Sequence, residues 1–282
     1  MNEVKIFEKY NKLNKIGEGA FSIVYKAENI ITKELVAIKE IPKKMNDKDI
    51  KKDIEKEIKF MEIFSIYPNS VRLIDKFEEN DKIFIVTELC DGDLAKYLKK
   101  SKNGFSIQEI KIIMNQYNKI LYEIRKKDMV HNDVKLENVL VKFKGNLKEF
   151  IIKLMDYGQM KLLSSIKDLS NNVFGIEPYI EGGKKILYLL EKIDLLNLGI
   201  NIYRMIFKEP PKTFEELNEN IDKFVEDKEL LDLLKKLCVE DAKKRIDWEE
   251  YFNHKFFNIE KEEFEKVENI VKEINVNENK LK

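Results

Sequence analysis

Cysteine, histidine and proline are all scarce in this chain. Two cysteines, Cys90 and Cys238, lie far apart among 282 residues, so neither a disulfide framework nor a cysteine metal spacing is available. Two histidines, His131 and His254, cannot build a His-rich zinc site. Five prolines and ten glycines mark no low-complexity linker, and no internal repeat is present. A surplus of either charge is also missing, because 52 Lys+Arg balance 52 Asp+Glu. Nucleic-acid binders need excess cations to displace counterions from phosphates, so the balance argues against a nucleic-acid partner. No apolar run approaches the roughly 18 residues of a membrane helix. The greasiest stretch, Ile186 to Phe207, carries Glu191, Lys192, Asp194 and Arg204 and reads as buried helix. Residues Met1 to Lys5 lack the apolar core of a secretory leader, so the expected location is intracellular, cytoplasmic or nuclear, with free thiols and no membrane partner.

What is present is an apolar core under a heavily charged coat. Hydrophobic residues make up 43% and charged residues 37%, against about 25% charged in an ordinary domain. Enough apolar side chain remains to fold a chain of this length. Short β-branched and aromatic runs at Ile23–Tyr25, Leu35–Ile38 and Ile83–Val86 read as strands. Between them, from about Asp49 to Phe64, Ile54, Ile58, Met61 and Phe64 recur at helical spacing. After Cys90-Asp91-Gly92-Asp93 helical patterns take over. Ser106 and Glu109 form a capping-box signature ahead of Ile110, Ile113, Tyr117, Ile120 and Ile124. Further helices are expected near Asp194–Phe207, Glu229–Leu237 and Trp248–Phe252, the last opened by Asp247. The expected fold is α+β and bilobal. A strand-rich lobe with one helix occupies residues 1–87, a hinge 88–92, and a mainly helical lobe 93–258. A charged tail with a weak Phe264/Val267/Ile270 stripe fills 259–282.

Ile16-Gly17-Glu18-Gly19-Ala20-Phe21-Ser22-Ile23-Val24 lies between two strand patterns. Without a Cβ at Gly17 and Gly19, backbone N–H groups there can approach phosphate oxygens closely; by themselves, two glycines in a loop are just a turn. A Walker ending is absent and a strand follows, which disfavours a P-loop or Rossmann site. In Val36-Ala37-Ile38-Lys39, strand alternation puts Ala37 and Lys39 on one face and Val36 and Ile38 on the other. A small residue beside a cation suits a flat base over Ala37 and phosphates at Lys39, although a strand ending in a solvated lysine is commoner. Glu57 falls on the apolar stripe of the helix, where an unpaired carboxylate is costly to bury. Lys39 is its natural partner, unless Glu57 sits at the stripe's edge in water.

Two further segments complete an ordered set: His131-Asn132-Asp133-Val134-Lys135-Leu136-Glu137-Asn138-Val139-Leu140 and Lys153-Leu154-Met155-Asp156-Tyr157-Gly158. In glycine loop, strand lysine, helix glutamate, catalytic loop and Asp-aromatic-Gly, the chain resembles the eukaryotic protein kinases. Asp194 to Gly199, Asp241 to Ile246 and His254 to Phe257 continue the resemblance, which covers about residues 10 to 258. It implies ATP- and Mg2+-dependent transfer of a γ-phosphoryl group to protein substrates, a reaction that is mostly positioning and charge stabilisation. By the resemblance, backbone from Ile16 and Gly17 through Glu18, Gly19, Ala20 and Phe21 to Ser22 covers the triphosphate. Val24 and Ala37 roof the adenine, Leu140 floors it, and Glu88 to Cys90 form the hinge behind a Thr87 gatekeeper. Lys39, held by Glu57, takes the α/β-phosphates, while Asn138 and Asp156 hold Mg2+ as hard oxygen ligands. Asp133 receives or orients the hydroxyl proton and Lys135 steadies the γ-phosphate. Lys135, two residues past Asp133, resembles the serine/threonine branch; the closing segment and glycine loop resemble calmodulin-dependent and related kinases. His131 is a packing residue in this scheme, not a base.

The chain departs from the family's pattern at several points. Asn132 stands where an Arg usually binds a phosphorylated activation loop, so weak dependence on phosphorylation of Ser164, Ser165 or Ser170 is expected. Gly175 to Gly183 is a poor copy of the Gly-Thr-x-x-Tyr-x-Ala-Pro-Glu segment: Ile176 lacks the Thr hydroxyl, and Glu181 is the substitute partner for Arg245. Leu196 replaces a Trp, which is repacking. Glu137 and Asp93 are candidates to favour basic residues near the target hydroxyl. The degraded segment also keeps open an alternative, an ATP-binding pseudokinase acting as scaffold, although Asp133 and Asp156 are both retained.

Overall fold

Alternating strand runs, one helix and then a helical half recur in the structure, a computed structural model that describes residues 6–19, 22–45, 48–144, 146–163 and 190–257. A helical turn, α1 (Ile6–Lys9), leads into β1 (Tyr10–Glu18), β2 (Ile23–Asn29) and β3 (Leu35–Pro42). Two short strands, β4 (Lys44–Met45) and β5 (Lys48–Asp49), precede helix α2 (Lys51–Phe64), and β6 (Leu73–Glu79) and β7 (Lys82–Glu88) follow. Then come β8 (Gly92–Asp93), α3 (Leu94–Lys100), α4 (Ile107–Lys126), β9 (Met129–Val130) and a 3-10 turn (Leu136–Asn138). Strands β10 (Val139–Lys144), β11 (Asn146–Leu154) and β12 (Lys161–Leu162) lead to α5 (Leu190–Phe207), α6 (Phe214–Phe224), α7 (Lys228–Leu237) and α8 (Trp248–Phe252). The fold is α+β and bilobal. Residues to Asp91, with Leu140–Gly158, make a strand-rich unit; Gly92–Val139, with the described residues from Gln159 onward, make a mainly helical one.

In the first unit a five-stranded antiparallel sheet runs in the order β1-β2-β3-β7-β6. Alternation along β3 buries Val36 and Ile38, which join Ile6, Tyr10, Ala27, Phe84 and Val86 in one apolar cluster. The opposite face is set by register. Val24 pairs with Lys39, Lys39 with Ile85, and Ala37 with Thr87, so all five share the face turned away from that cluster. Helix α2 buries Ile54, Ile58, Phe60, Met61 and Phe64, with Glu57 among them. Phe64 stacks on Tyr157 at 5.6 Å, and the Tyr157 hydroxyl meets Ser70 Oγ at 2.6 Å.

In the second unit the Ser106/Glu109 capping box opens α4, whose buried face carries Ile110, Ile113, Tyr117, Ile120 and Ile124. Asp227 and Asp247 cap α7 and α8 by accepting the Leu230 and Glu250 N–H groups. Leu196 is buried with Val130, Ile193, Ile200 and Ala242. Among the described residues no helix is long and apolar enough to cross a membrane. Helix α5 packs against α7 at Gly199, where a Cβ would stand 2.6 Å from Cys238 Sγ and 2.9 Å from Leu237 Cβ. The glycine is there for close approach. Gly199→Val is therefore expected to destabilise the chain by about 2–3 kcal/mol through overpacking, read as a lowered urea midpoint; an unchanged midpoint would show that the helices can part without cost.

Candidate active site

The sequence-derived residues fall into two groups, one in each unit. In the first unit, Lys39 Nζ on β3 donates to Glu57 Oε1 on α2 at 2.7 Å. Burial pushes the Lys39 ammonium down, but the charges of Glu57 and Asp156 outweigh it and hold the group above its usual value. Asp156 sits in the left-handed region at φ 64°. Gly158 is bare where a Cβ would lie 3.4 Å from Asp156 Oδ1 and 3.7 Å from Glu57 Oε2. One cation is thus bonded to one carboxylate and stands in the field of a second.

Around this group the β1–β2 hairpin carries Ile16, Gly17, Glu18 and Gly19, with Gly19 N–H donating to Ser22 O at 2.8 Å to close the turn. Glu18 pairs with Lys15. Ala20 and Phe21 lie outside the described residues. Val24, Ala37, Thr87 and Leu140 are all half-buried. Glu88 is buried, and its oxygens meet Lys153 and Lys142 at 2.7 Å each and accept the Arg72 N–H at 2.9 Å. Burial pushes this carboxyl up, yet the two lysines and the amide hold it below its usual value. Burial raises the Cys90 thiol to about 12, so it carries no nucleophile.

In the second unit, Lys135 Nζ donates to Asp133 Oδ2 at 2.6 Å, and Asn138 Nδ2 donates to the same oxygen at 2.7 Å and to Asp133 O at 2.9 Å. Helix α5 holds this loop from behind. Asp194 accepts the N–H groups of His131 and Asn132, both at 2.8 Å, and Asn201 Nδ2 donates to Val134 O at 3.2 Å. His131 is fully buried. Asn132 is held at φ 65°, a conformation that Asn tolerates better than most residues. Arg245 is buried and donates to Val239 O and Lys192 O. Its expected partner Glu181, the rest of Gly175–Gly183 with Ile176, Ser164, Ser165 and Ser170, and the 259–282 tail lie outside the described residues.

Sequence reasoning missed two features. One is the Glu88–Lys153–Lys142 cluster. The other is a fork from Arg204 on α5 to both oxygens of Glu137, for which a signal existed: Asp194, Asn197, Asn201 and Arg204 recur at spacings of three and four, a polar stripe on an apolar helix.

The strand-rich unit carries a Lys–Glu pair and the helical unit an Asp loop anchored on Asp194. Residues 10–257 match the protein kinase domain family, and the chain belongs to it. It is 35% identical over 156 residues to cyclin-dependent kinase-like 4 of Mus musculus, covering 55% of this chain and 44% of that protein. It is 31% identical over 264 residues to serine/threonine-protein kinase atg1 of Dictyostelium discoideum, covering 87% and 38%. To serine/threonine-protein kinase ULK3 of Xenopus laevis it is 29% identical over 261 residues, covering 87% and 54%. The chain thus spans about half or less of the length of these curated relatives.

Burial pushes the Asp194 carboxyl up to about 7, against the pull of the two N–H bonds and of Arg125. A carboxyl with a higher pKa folded than unfolded binds its proton more tightly when folded, so its contribution is greatest below about pH 4 and declines as pH rises towards 7. Asp194→Asn removes that titration and sets an amide donor against a backbone N–H. The unfolding free energy of wild type minus that of the variant should therefore shrink by about 2–3 kcal/mol between pH 5 and pH 8. Urea titrations at fixed pH read it, and a difference independent of pH would contradict the assignment.

Proposed function

We propose that this chain transfers the γ-phosphoryl group of ATP, with Mg2+, to serine or threonine hydroxyls of protein substrates inside the cell. The observation that carries the reading is Lys39 Nζ, held at 2.7 Å by Glu57 and in the field of Asp156. A cation fixed by a helix carboxylate beside a second acid is what a polyphosphate and its counterion require. Support for serine/threonine acceptors comes from Lys135 beside Asp133 and from the names of the atg1 and ULK3 relatives. A calmodulin-dependent-kinase-like character rests on Asp241–Ile246 and the glycine loop alone. We assign the lobes to about residues 1–87 and 93–258, the hinge to 88–92, and a charged tail to 259–282.

Asn138 and Asp156 suit Mg2+. The Asn138 amide nitrogen is spent on Asp133, which leaves its carbonyl oxygen as a hard donor, and Asp156 adds a carboxylate. When bound, the ion neutralises charge on the β- and γ-phosphates. Backbone at Gly17 to Ser22 covers the triphosphate, Val24, Ala37 and Leu140 enclose the base, and Glu88 to Cys90 offer it backbone groups past Thr87. Lys39 binds the α/β-phosphates. Asp133 keeps Oδ2 on Lys135 and Asn138, and its Oδ1 receives the proton of the hydroxyl. The new bond forms from that oxygen to the γ-phosphorus as the bond to the ADP oxygen breaks, with Lys135 meeting the γ-phosphate.

Phosphate transfer from labelled ATP to a generic basic protein should fall by about 10²–10⁴-fold in Asp133→Asn and by a similar factor in Lys39→Met. A wild type that binds ATP in a thermal shift yet transfers nothing would instead support the pseudokinase scaffold. Asn132 offers no charge to a phosphorylated loop. Phosphatase treatment should therefore change the transfer rate by less than about threefold; a larger loss would give the loop a phosphate receptor other than this position.

A further inference from the structure

Glu137 lies in the 3-10 turn next to Asn138, whose amide reaches the Asp133 carboxylate at 2.7 Å. If Asp133 receives the acceptor hydroxyl, as proposed above, a residue flanking that hydroxyl passes close to Glu137. Its carboxylate is already engaged. Arg204 Nη2 donates to Oε1 at 2.8 Å and Nη1 to Oε2 at 3.2 Å, so both oxygens are held by one planar fork. The Arg204 side chain is 12% exposed and that of Glu137 44%, which places the guanidinium beneath the acid. Arg204 also lies three residues after Asn201, which bonds Val134 O, so the fork is built on the helix face that already holds the loop.

The second acid on this side of the unit is engaged as well. Strand β8 and helix α3 pack on the Leu136–Asn138 turn. There Asp93 caps α3 by accepting the Lys96 N–H at 2.8 Å, and Lys96 Nζ lies 3.0 Å from its other oxygen.

We propose that the Glu137–Arg204 fork is an internal stand-in for a substrate cation, which makes Arg204 a specificity-determining residue and the surface beside Asp133 neutral. The chain then does not select arginine or lysine next to the target hydroxyl, contrary to what the sequence suggests for Glu137 and Asp93. The inference rests on the phosphoryl-transfer reading. A bidentate Arg–carboxylate pair is both strong and directional. An incoming arginine that displaced Arg204 would gain one ion pair by breaking another, and would leave a mostly buried guanidinium without its acid.

The test uses the full chain and a set of serine peptides carrying Arg, Ala or Glu at each flanking position. Both kcat/KM and binding are measured, the latter by fluorescence anisotropy of the labelled peptides. Wild type should treat Arg and Ala alike, within about threefold, at every position. Arg204→Met frees the Glu137 carboxylate and should favour Arg about tenfold at one position, through KM rather than kcat, and the Arg204→Met/Glu137→Gln double variant should lose that preference. Glu137→Gln alone, which keeps the buried arginine and covers the case of a poorly folding Arg204→Met, should turn selection towards Glu at the same position. A tenfold Arg preference in wild type, or single variants with the wild-type profile, would overturn the proposal. Absence of transfer from wild type would sink the kinase reading by itself. The anisotropy arm still decides the fork, because a freed carboxylate draws an arginine peptide with or without turnover.

Discussion

A carboxylate removed from water has to be met by donors that the fold itself supplies, and three of the four buried acids among the described residues show how. Glu57 is met by Lys39 across the sheet and helix of the first unit. Glu88 is met by two lysines from β10 and β11 and by the Arg72 amide. Asp194 is met by two successive backbone amides of the loop that carries Asp133. Each pairing fixes an element that hydrophobic burial would leave free to slide: the roll of α2, the end of β7, and the path of residues 131–138. Breaking the Glu57 or the Glu88 pairing strands a charge at a cost of about 3–5 kcal/mol. The apolar clusters give the two units their stability, and these pairs give them their register.

Two of the six non-glycine residues in the left-handed region, among those described, stand in the segments that carry the site. Asn132 and Asp156 both hold φ near 65°, a region that costs a side-chain-bearing residue about 1–3 kcal/mol. Asn132 is secured by its N–H bond to Asp194. The replacement of a usual Arg by Asn at 132 therefore has two consequences at one position. It removes a cation, and it supplies a residue suited to the left-handed backbone there.

Much of this was legible because it follows from periodicity and burial cost. Alternation in Val36–Lys39 gave the two faces of β3, and the capping pair at Ser106 and Glu109 gave the start of α4. The misplaced acid at Glu57 gave its partner. Helix α6 was overlooked although Thr213 and Glu216 begin it with a side-chain cap, because its apolar stripe is short and its surroundings are uniformly charged. The Arg204–Glu137 fork was overlooked for a different reason. Sixty-seven residues separate the pair, and local pattern carries no information about which distant loop a helix face will meet. The polar stripe on α5 announces that something must be satisfied, but not what.

Composition makes the arginines the informative cations. Four arginines stand among 52 basic residues; Arg72 makes an exposed pair with Glu34, and the other three stand where an ammonium would not serve. Arg125 donates to Met129 O and to Glu191, Arg204 to both oxygens of Glu137, and Arg245 to Val239 O and Lys192 O. All three bond at least two fixed acceptors, which a planar guanidinium does without rearrangement and a point charge does not. All three acceptor sets include a residue on α5 or on the loop that it holds, and Arg125 also ties the β9 strand that leads into that loop. Arginine is retained where the helix face and the Asp133 loop must be locked in one geometry, so the lock, rather than the charge, accounts for its placement.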